Sequence, residues 1–177
     1  MKFIVEDTNI IIDLFNTGLL SFCKDLKLEF HTTRYVVAEI LYSSQSAVLI
    51  VMINNGQLLV DDFVGEEYEQ LIKYIAECNG ENNLSEADCS VLLLAKRLEC
   101  RLLTSDQKLK RKAEEHGVEV NGFLWLTDLL VEEQIVTEKT MVKHLNRYLE
   151  TNPRAPENEV VKRIDFYNKK IIMNNKL

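Results

Sequence analysis

Four acidic side chains in this 177-residue chain stand where chemistry could be done: Asp7, Glu39, Asp88 and Asp106. Asp7 interrupts the apolar stretch "FIVEDTNIII", at the point where a short buried strand would give way to a helix. Asp106 follows the apolar run "RLLT", Asp88 opens a strongly apolar helix, and Glu39 lies inside "TTRYVVAEILY". Each has a structural explanation on its own. Asp7 and Asp106 could cap the helices after them, Ser85 and Asp88 could form a variant capping box, and Glu39 reads as a solvated helix residue. Jointly they imply more. Two carboxylates about 4 Å apart repel by roughly 4 kcal/mol at an effective dielectric near 20. Several at one sheet edge raise each other's pKa or push the fold apart unless a cation intervenes. Mg2+ and Mn2+ prefer hard oxygen ligands, and a cation held there to activate water suits phosphodiester hydrolysis.

The elements that must position these acids follow from apolar patterning. Lys2 to Val5 reads as a fully buried strand, and Asn9 to Asn16 as a helix stopping near Gly18. Leu19 to Leu26 reads as a short helix and "KLEFHTT" as a second strand. Arg34 to Ser43 and Ala47 to Asn55 read as helices, the latter ending at Gly56; "QLLVDDF" is a third strand. Gly65 to Cys78 predicts a helix with Tyr68, Leu71, Ile72, Ile75 and Ala76 on one face, followed by a loop over "NGENN". Ser85 begins a helix with Val91, Leu92, Leu94, Ala95 and Leu98 on its apolar face. "CRLLT" is a strand, Asp106 to His116 a helix closed by Gly117, "VEV" a last strand, and Phe123 to Leu130 another helix. Strands alternating with helices predict an α/β sandwich with a mostly parallel central sheet. In such sheets ligands bind beyond the carboxyl ends of the strands, which places Asp7 and Asp106 on the same edge.

Composition narrows the class. Asp and Glu total 28 against 21 Lys and Arg, a formal charge of −7 that argues against a protein coating nucleic acid but not against an enzyme whose acidic site takes up cations. The four cysteines have no CxxC spacing and His31, His116 and His144 are scattered, so reduced, buried thiols are expected rather than a zinc site. No apolar run is long enough to cross a membrane. Glu6, Asp7 and Asp13 interrupt any signal-peptide core, so a cytoplasmic location is expected. Pro153 and Pro156 mark a hinge in "ETNPRAPENE". Stripes on either side of it, Met141, Leu145, Tyr148 and Leu149, then Val160, Val161, Ile164 and Tyr167, suggest helices that pack on their own domain or on a partner chain.

"VEDTNIIIDLF", "YVVAEIL", "LSEADCSVLLLAKRLECRLLTSD" and "QKLKRKAEEHGVEVNG" resemble, in order, the successive motifs of the PIN-domain ribonucleases. That pattern has Asp-Thr/Ser-Asn after strand one, a Glu in an early helix, and an Asp opening a later helix. A final Asp comes some eighteen residues on, after an apolar strand and a Thr. Asp7, Glu39, Asp88 and Asp106 match the four positions. The resemblance covers roughly residues 1 to 130, and "DQKLKRKAEEHGVEVNGFLWLTDLL" is further similar to a branch with a Gly-containing turn and a helix after the last strand. It implies a three-layer sandwich with a PIN-like nuclease domain over residues 1–135 and a helical C-terminal extension over 136–177. Residues 137–177 extend beyond the compact bacterial toxin members.

The resemblance also implies a Mg2+- or Mn2+-dependent endonuclease of single-stranded RNA that leaves 5′-phosphate and 3′-hydroxyl ends. Asp7 and Asp106 would be the central metal ligands and Asp88 would complete the acidic site. Glu39 would bind through water or orient the nucleophile. Thr8, Asn9 and Thr104 would hold carboxylate rotamers by hydrogen bonding. Glu86 reads as a solvated first-turn residue that could add a further acid, and Glu6 as facing solvent. Lys108, Lys110, Arg111 and Lys112, next in sequence to the proposed site, are the first choice for phosphate contacts, though such a run also reads as a solvated face. A toxin role, an antitoxin occupying the acidic groove, and a homo-oligomer are all compatible with the resemblance. The alternative is a PIN-like module that binds RNA or protein without catalysis. A haloacid-dehalogenase-type phosphatase ranks low because Asn9 stands where that family places its second Asp. A dinucleotide enzyme is disfavoured for want of GxGxxG.

Overall fold

In this computed structural model, which describes residues 2–41, 46–81 and 84–174, apolar runs form strands and amphipathic ones helices, with one or two helices between successive strands. Strand β1 (Lys2–Glu6) leads to α1 (Thr8–Thr17) and the single turn α2 (Leu20–Cys23), shorter than the helix expected to Leu26. Then come β2 (Leu28–Thr33), α3 (Arg34–Leu41), α4 (Ser46–Asn54), β3 (Leu59–Asp61) and α5 (Glu66–Glu81). They are followed by α6 (Glu86–Arg97), β4 (Arg101–Leu103), α7 (Gln107–Glu115) and β5 (Val120–Asn121). Helices α8 (Phe123–Glu132), α9 (Glu138–Thr151) and α10 (Glu157–Asn174) complete the chain. Gly18, Gly56 and Gly117 take positive φ just past α1, α4 and α7, the left-handed conformation that glycine adopts without steric cost. No described helix is long and apolar enough to cross a membrane.

Three expectations need correction. Asn79, Gly80 and Glu81 continue α5 instead of opening a loop; Asn82 and Asn83, like Tyr42 and Ser43 at the expected end of α3, lie outside the described residues. A single Gly costs a helix about 1 kcal/mol, too little to stop one that is already propagating. The last strand is Val120–Asn121 rather than "VEV", because Val118 is buried as its amide donates to the Ala113 carbonyl and closes α7. On α5 the buried stripe is Leu71, Ile75 and Cys78, while Tyr68 and Ile72 are exposed.

The chain forms two compact units. Residues up to Ile11 together with Lys27–Gly122 make the first, and Ile12–Leu26 with the residues from Phe123 onward make the second. The first unit is built on one sheet of order β3-β2-β1-β4-β5, in which every strand pair is parallel. Helix α6 packs on β1, β2 and β4 and also meets α3 and α5. That central place explains why Ala87, Cys89, Ser90, Val91, Leu92, Leu94 and Ala95 are all buried, well beyond the single stripe of a surface helix.

In the second unit α9 and α10 form a hairpin through the Pro153–Pro156 connection. Phe123 stacks on Tyr148 at 4.2 Å over buried Met141, Leu145, Val160 and Tyr167. Val161, expected in that stripe, faces outward instead. Asp128 on α8 receives the Arg163 guanidinium and the Tyr167 hydroxyl, a charge-assisted tie between α8 and α10. All four cysteines are free thiols, and Cys23, Cys78 and Cys89 are buried.

Candidate acidic site at the ends of the central strands

The sheet order reverses direction between β1 and β4: from β1 the chain winds outward to β2 and β3, then returns to place β4 and β5 on the other side. At such a switch point the loops leaving two adjacent parallel strands diverge and open a crevice. Asp7 leaves β1 there and Asp106 lies three residues beyond β4, with Glu6 in register with Leu103.

Asp7 is fixed through its backbone. Its amide donates to the Leu103 carbonyl at 3.1 Å, adding one rung to the β1–β4 ladder, and its own carbonyl accepts from the Ile10 and Ile11 amides at the start of α1. The side chain is only 2% exposed. Its Oδ2 accepts from the Thr104 hydroxyl at 2.8 Å and from the Asn9 side-chain amide at 3.3 Å. The Thr104 hydroxyl in turn accepts from the Asp106 amide at 3.0 Å, so one hydroxyl links the backbone of one acid to the carboxylate of another. Burial, and secondarily the negative charge of Asp88, push the Asp7 carboxyl up to about 7, against the hydrogen bonds from Thr104, Asn9 and the Thr8 amide.

Asp88 sits in the first turn of α6 and forms a full capping box. Its Oδ2 accepts from the Ser85 amide at 2.9 Å, while its own amide donates to the Ser85 hydroxyl at 3.1 Å. Its carboxyl is held above the usual range, first by burial and then by Asp106 and Glu39, with the Ser85 hydrogen bonds opposing. Asp106 caps α7, its Oδ1 accepting from the Lys108 and Leu109 amides at 2.7 and 2.9 Å. Glu39, exposed on α3, accepts from the Thr8 hydroxyl at 2.7 Å. Asp88 is thus the hub: it raises Asp7, and Asp106 and Glu39 raise it in turn.

The structure therefore brings the four acids into one electrostatic neighbourhood, and Thr8, Asn9 and Thr104 each donate to one of them. Among the described residues, however, no three His, Cys, Asp or Glu side chains stand close enough to hold a metal ion. The physical reason is local. Asp88 and Asp106 spend Oδ2 and Oδ1 respectively on backbone amides at the starts of their helices. Their other oxygens accept no hydrogen bond from the described residues. Hard oxygen donors around a buried carboxylate disfavoured as an anion are a set that suits a divalent cation.

Other expected residues are placed less centrally. Glu86 is exposed on the first turn of α6, and the Glu6 side chain lies outside the described residues. Along α7, Lys108, Arg111 and Lys112 fall on one side at helical spacing and Lys110 on the other. Lys108 and Arg111 are exposed, whereas Lys110 pairs with Glu114 at 3.9 Å and Lys112 with Glu115 at 3.3 Å.

Sequence reasoning missed a relay that sets α6, and so Asp88, on the sheet. The Val36 amide donates to the Thr33 hydroxyl, Thr33 lies 2.7 Å from the Ser90 hydroxyl, and Ser90 donates to the Ala87 carbonyl at 2.7 Å. Since Ser90 gives its proton to Ala87, Thr33 is the donor between the two. Both side chains are fully buried. A lone Ser inside "CSVLLLA" was the available signal, because a buried hydroxyl needs a partner.

A family model described as PIN domain matches residues 3–169. No curated protein matches the chain. Among solved structures, similarity extends to a PilT N-terminus domain protein from the hyperthermophilic archaeon Sulfolobus solfataricus P2. The two are 17% identical over 70% of this chain and 89% of that one, with a TM-score of 0.41. A domain of a functionally unknown protein from Methanocaldococcus jannaschii DSM 2661 is 21% identical, covering 69% and 91% with a TM-score of 0.45. FitAcB from Neisseria gonorrhoeae is 22% identical, covering 66% and 95% with a TM-score of 0.40.

Proposed function

The chain belongs to the PIN-domain family, and we propose that it is a divalent-metal-dependent endoribonuclease hydrolysing phosphodiester bonds in single-stranded RNA. The observation that carries this reading is Asp7. It is a carboxylate almost wholly removed from water at the switch point of the sheet, and the charges acting most strongly on it and on Asp88 are other carboxylates. Such a group is costly to keep charged unless a cation joins it.

In this reading Asp7 and Asp106 are the central ligands of Mg2+ or Mn2+, Asp88 completes the set, and Glu39 binds through water or orients the nucleophile. When bound, such an ion supplies Lewis acidity, lowering the pKa of water and offsetting negative charge on the phosphate. The protein supplies preorganisation. Thr104 and Asn9 hold one oxygen of Asp7, Thr8 holds Glu39, and the Thr33–Ser90 relay fixes the helix of Asp88. Lys108, Arg111 and Lys112 contact backbone phosphates, with Lys110 farther round the helix. The expected products end in 5′-phosphate and 3′-hydroxyl. Every residue named here lies within 1–135, the proposed nuclease domain, with 136–177 as its helical extension. A cytoplasmic protein inhibitor seated in the acidic groove, as in a toxin–antitoxin pair, is compatible with this chemistry.

The capping duties of Asp88 and Asp106 favour one second reading: a PIN-like module that binds RNA or protein without cleaving. Labelled single-stranded RNA incubated with Mg2+, with Mn2+ or with chelator separates the two. The enzyme reading predicts metal-dependent cleavage by wild type that is lost in Asp7→Asn and Asp106→Asn. Binding without cleavage selects the module, and cleavage that survives chelation overturns both.

A further inference from the structure

We infer that the outward side of α10 is a second contact surface for single-stranded RNA, with Phe166 as a base-stacking platform and Lys162, Lys169 and Lys170 as phosphate contacts. Charge is divided unevenly along the chain. Residues 136–177 hold nine Lys and Arg against five Asp and Glu, a net of +4, whereas residues 1–135 hold 12 against 23, a net of −11. A basic terminal segment joined to an acidic body is a composition that points to a polyanionic partner. The total of −7 conceals it.

Helix geometry gathers these residues. Lys162, Phe166, Lys169, Lys170 and Met173 recur along α10 at a spacing that places them within an arc of about 100°. All are exposed, Phe166 by 53% and Met173 by 68%. Val160 and Tyr167 are buried on the other side of the helix, and Arg163 is spent on Asp128. Among the described residues no acid forms an ion pair with Lys162, Lys169 or Lys170. Glu159 and Asp165, the acids beside this face, therefore leave its lysines available. The Lys170 ammonium lies 4.7 Å from the centre of the Phe166 ring, so a cation and an aromatic face already stand together. On α9, Lys139, Lys143 and Arg147 recur every fourth residue and are exposed, while Met141, Leu145 and Tyr148 are buried.

These features fit an RNA single strand better than other polyanions. A single strand offers unpaired bases that stack on an exposed ring and phosphates that accept from lysine, whereas a duplex keeps its bases covered. A lipid surface takes up a helix with a broad apolar face, and here the lysines share the arc of Phe166 and Met173. At physiological salt the screening length is about 8 Å, so lysines in direct contact with a strand outweigh charges farther off than that. The choice of RNA as the strand rests on the function proposed above.

Fluorescence anisotropy of the full chain in chelator, with a long fluorescein-labelled oligouridylate, tests this. Phe166→Ala should raise Kd by about fivefold or more. Lys162→Glu combined with Lys169→Glu should raise it by about tenfold and reduce the slope of log Kd against log salt by at least about 1.4. Ultraviolet crosslinking of thiouridine-substituted RNA to wild type should map to residues 157–174, which reads the contact without any substitution. Metal-dependent cleavage, measured alongside, reports on the proposed function instead. Cleavage by wild type with an unchanged Kd in the α10 variants overturns this inference alone. Binding that depends on α10, without cleavage by wild type, supports it and overturns the endonuclease reading. Crosslinks confined to residues 1–135 also overturn the inference, as do variants that lose binding to phosphatidylserine vesicles but keep their affinity for RNA.

Discussion

Replacing Asp7 by Asn should abolish cleavage and yet stabilise the metal-free protein. Burial and the charge of Asp88 hold the Asp7 carboxyl at about 7 in the folded chain, against 3.8 for a free Asp. Because the folded-state value is raised, the folded state holds the proton more tightly than the unfolded one. Stability is therefore greatest at low pH and is lost as pH climbs from about 4 to about 7. At 1.36 kcal/mol per unit, the loss at neutral pH is about 4 kcal/mol. Asn keeps an oxygen for Thr104 and Asn9 and turns an amide toward negative surroundings. It should recover about 2–4 kcal/mol at pH ~7 and almost nothing near pH ~4, since the wild-type group is largely neutral there. For a chain of this length that corresponds to a rise of roughly 4–16 °C in Tm. Urea or thermal unfolding in chelator at several pH values measures it. A variant that is less stable than wild type at neutral pH, or a difference independent of pH, would refute the reasoning. Adding Mg2+ should narrow the gap, because only wild type keeps the full ligand set.

Other consequences follow from neighbouring groups. Asp13 is buried, accepts from Asn152 at 2.9 Å, and burial lifts its carboxyl to about 6. Asp13→Asn should therefore add up to about 2 kcal/mol at pH ~7 and less as pH falls toward ~4, seen by the same unfolding assay. Thr104→Val removes a donor to Asp7 and the acceptor of the Asp106 amide. It should cost about 1–3 kcal/mol in stability and lower kcat more than it changes KM in steady-state cleavage of RNA. Lys108→Ala and Arg111→Ala should each weaken RNA binding and reduce the slope of log Kd against log salt by about 0.7, measured by fluorescence anisotropy.

The strands that carry the site were legible because they are short apolar runs bounded by polar residues, a pattern that few other structures fit. The same logic places Asp7 and Asp106 just beyond strand ends, where the fold has them. Which stripe of α5 turns inward was not legible: Leu71, Ile75, Cys78 and Tyr68, Ile72, Ala76 have nearly the same helical spacing, and only tertiary packing chooses. The Thr33–Ser90 relay was hidden for a related reason, since its partners are 57 residues apart. At the acidic site the residue types were readable and their competition was not. The capping box at Ser85 and Asp88 reads from sequence as an alternative to metal binding, yet in the fold the cap coexists with the electrostatic influence of Asp106 and Glu39.

Crystals soaked in Mn2+ and examined for anomalous scattering give the most direct test. The account predicts a peak at the switch point between β1 and β4, within about 2.5 Å of oxygens from Asp7 and Asp106, and its loss in Asp7→Asn. Density absent there at saturating Mn2+, or present only at unrelated surface carboxylates, would contradict it.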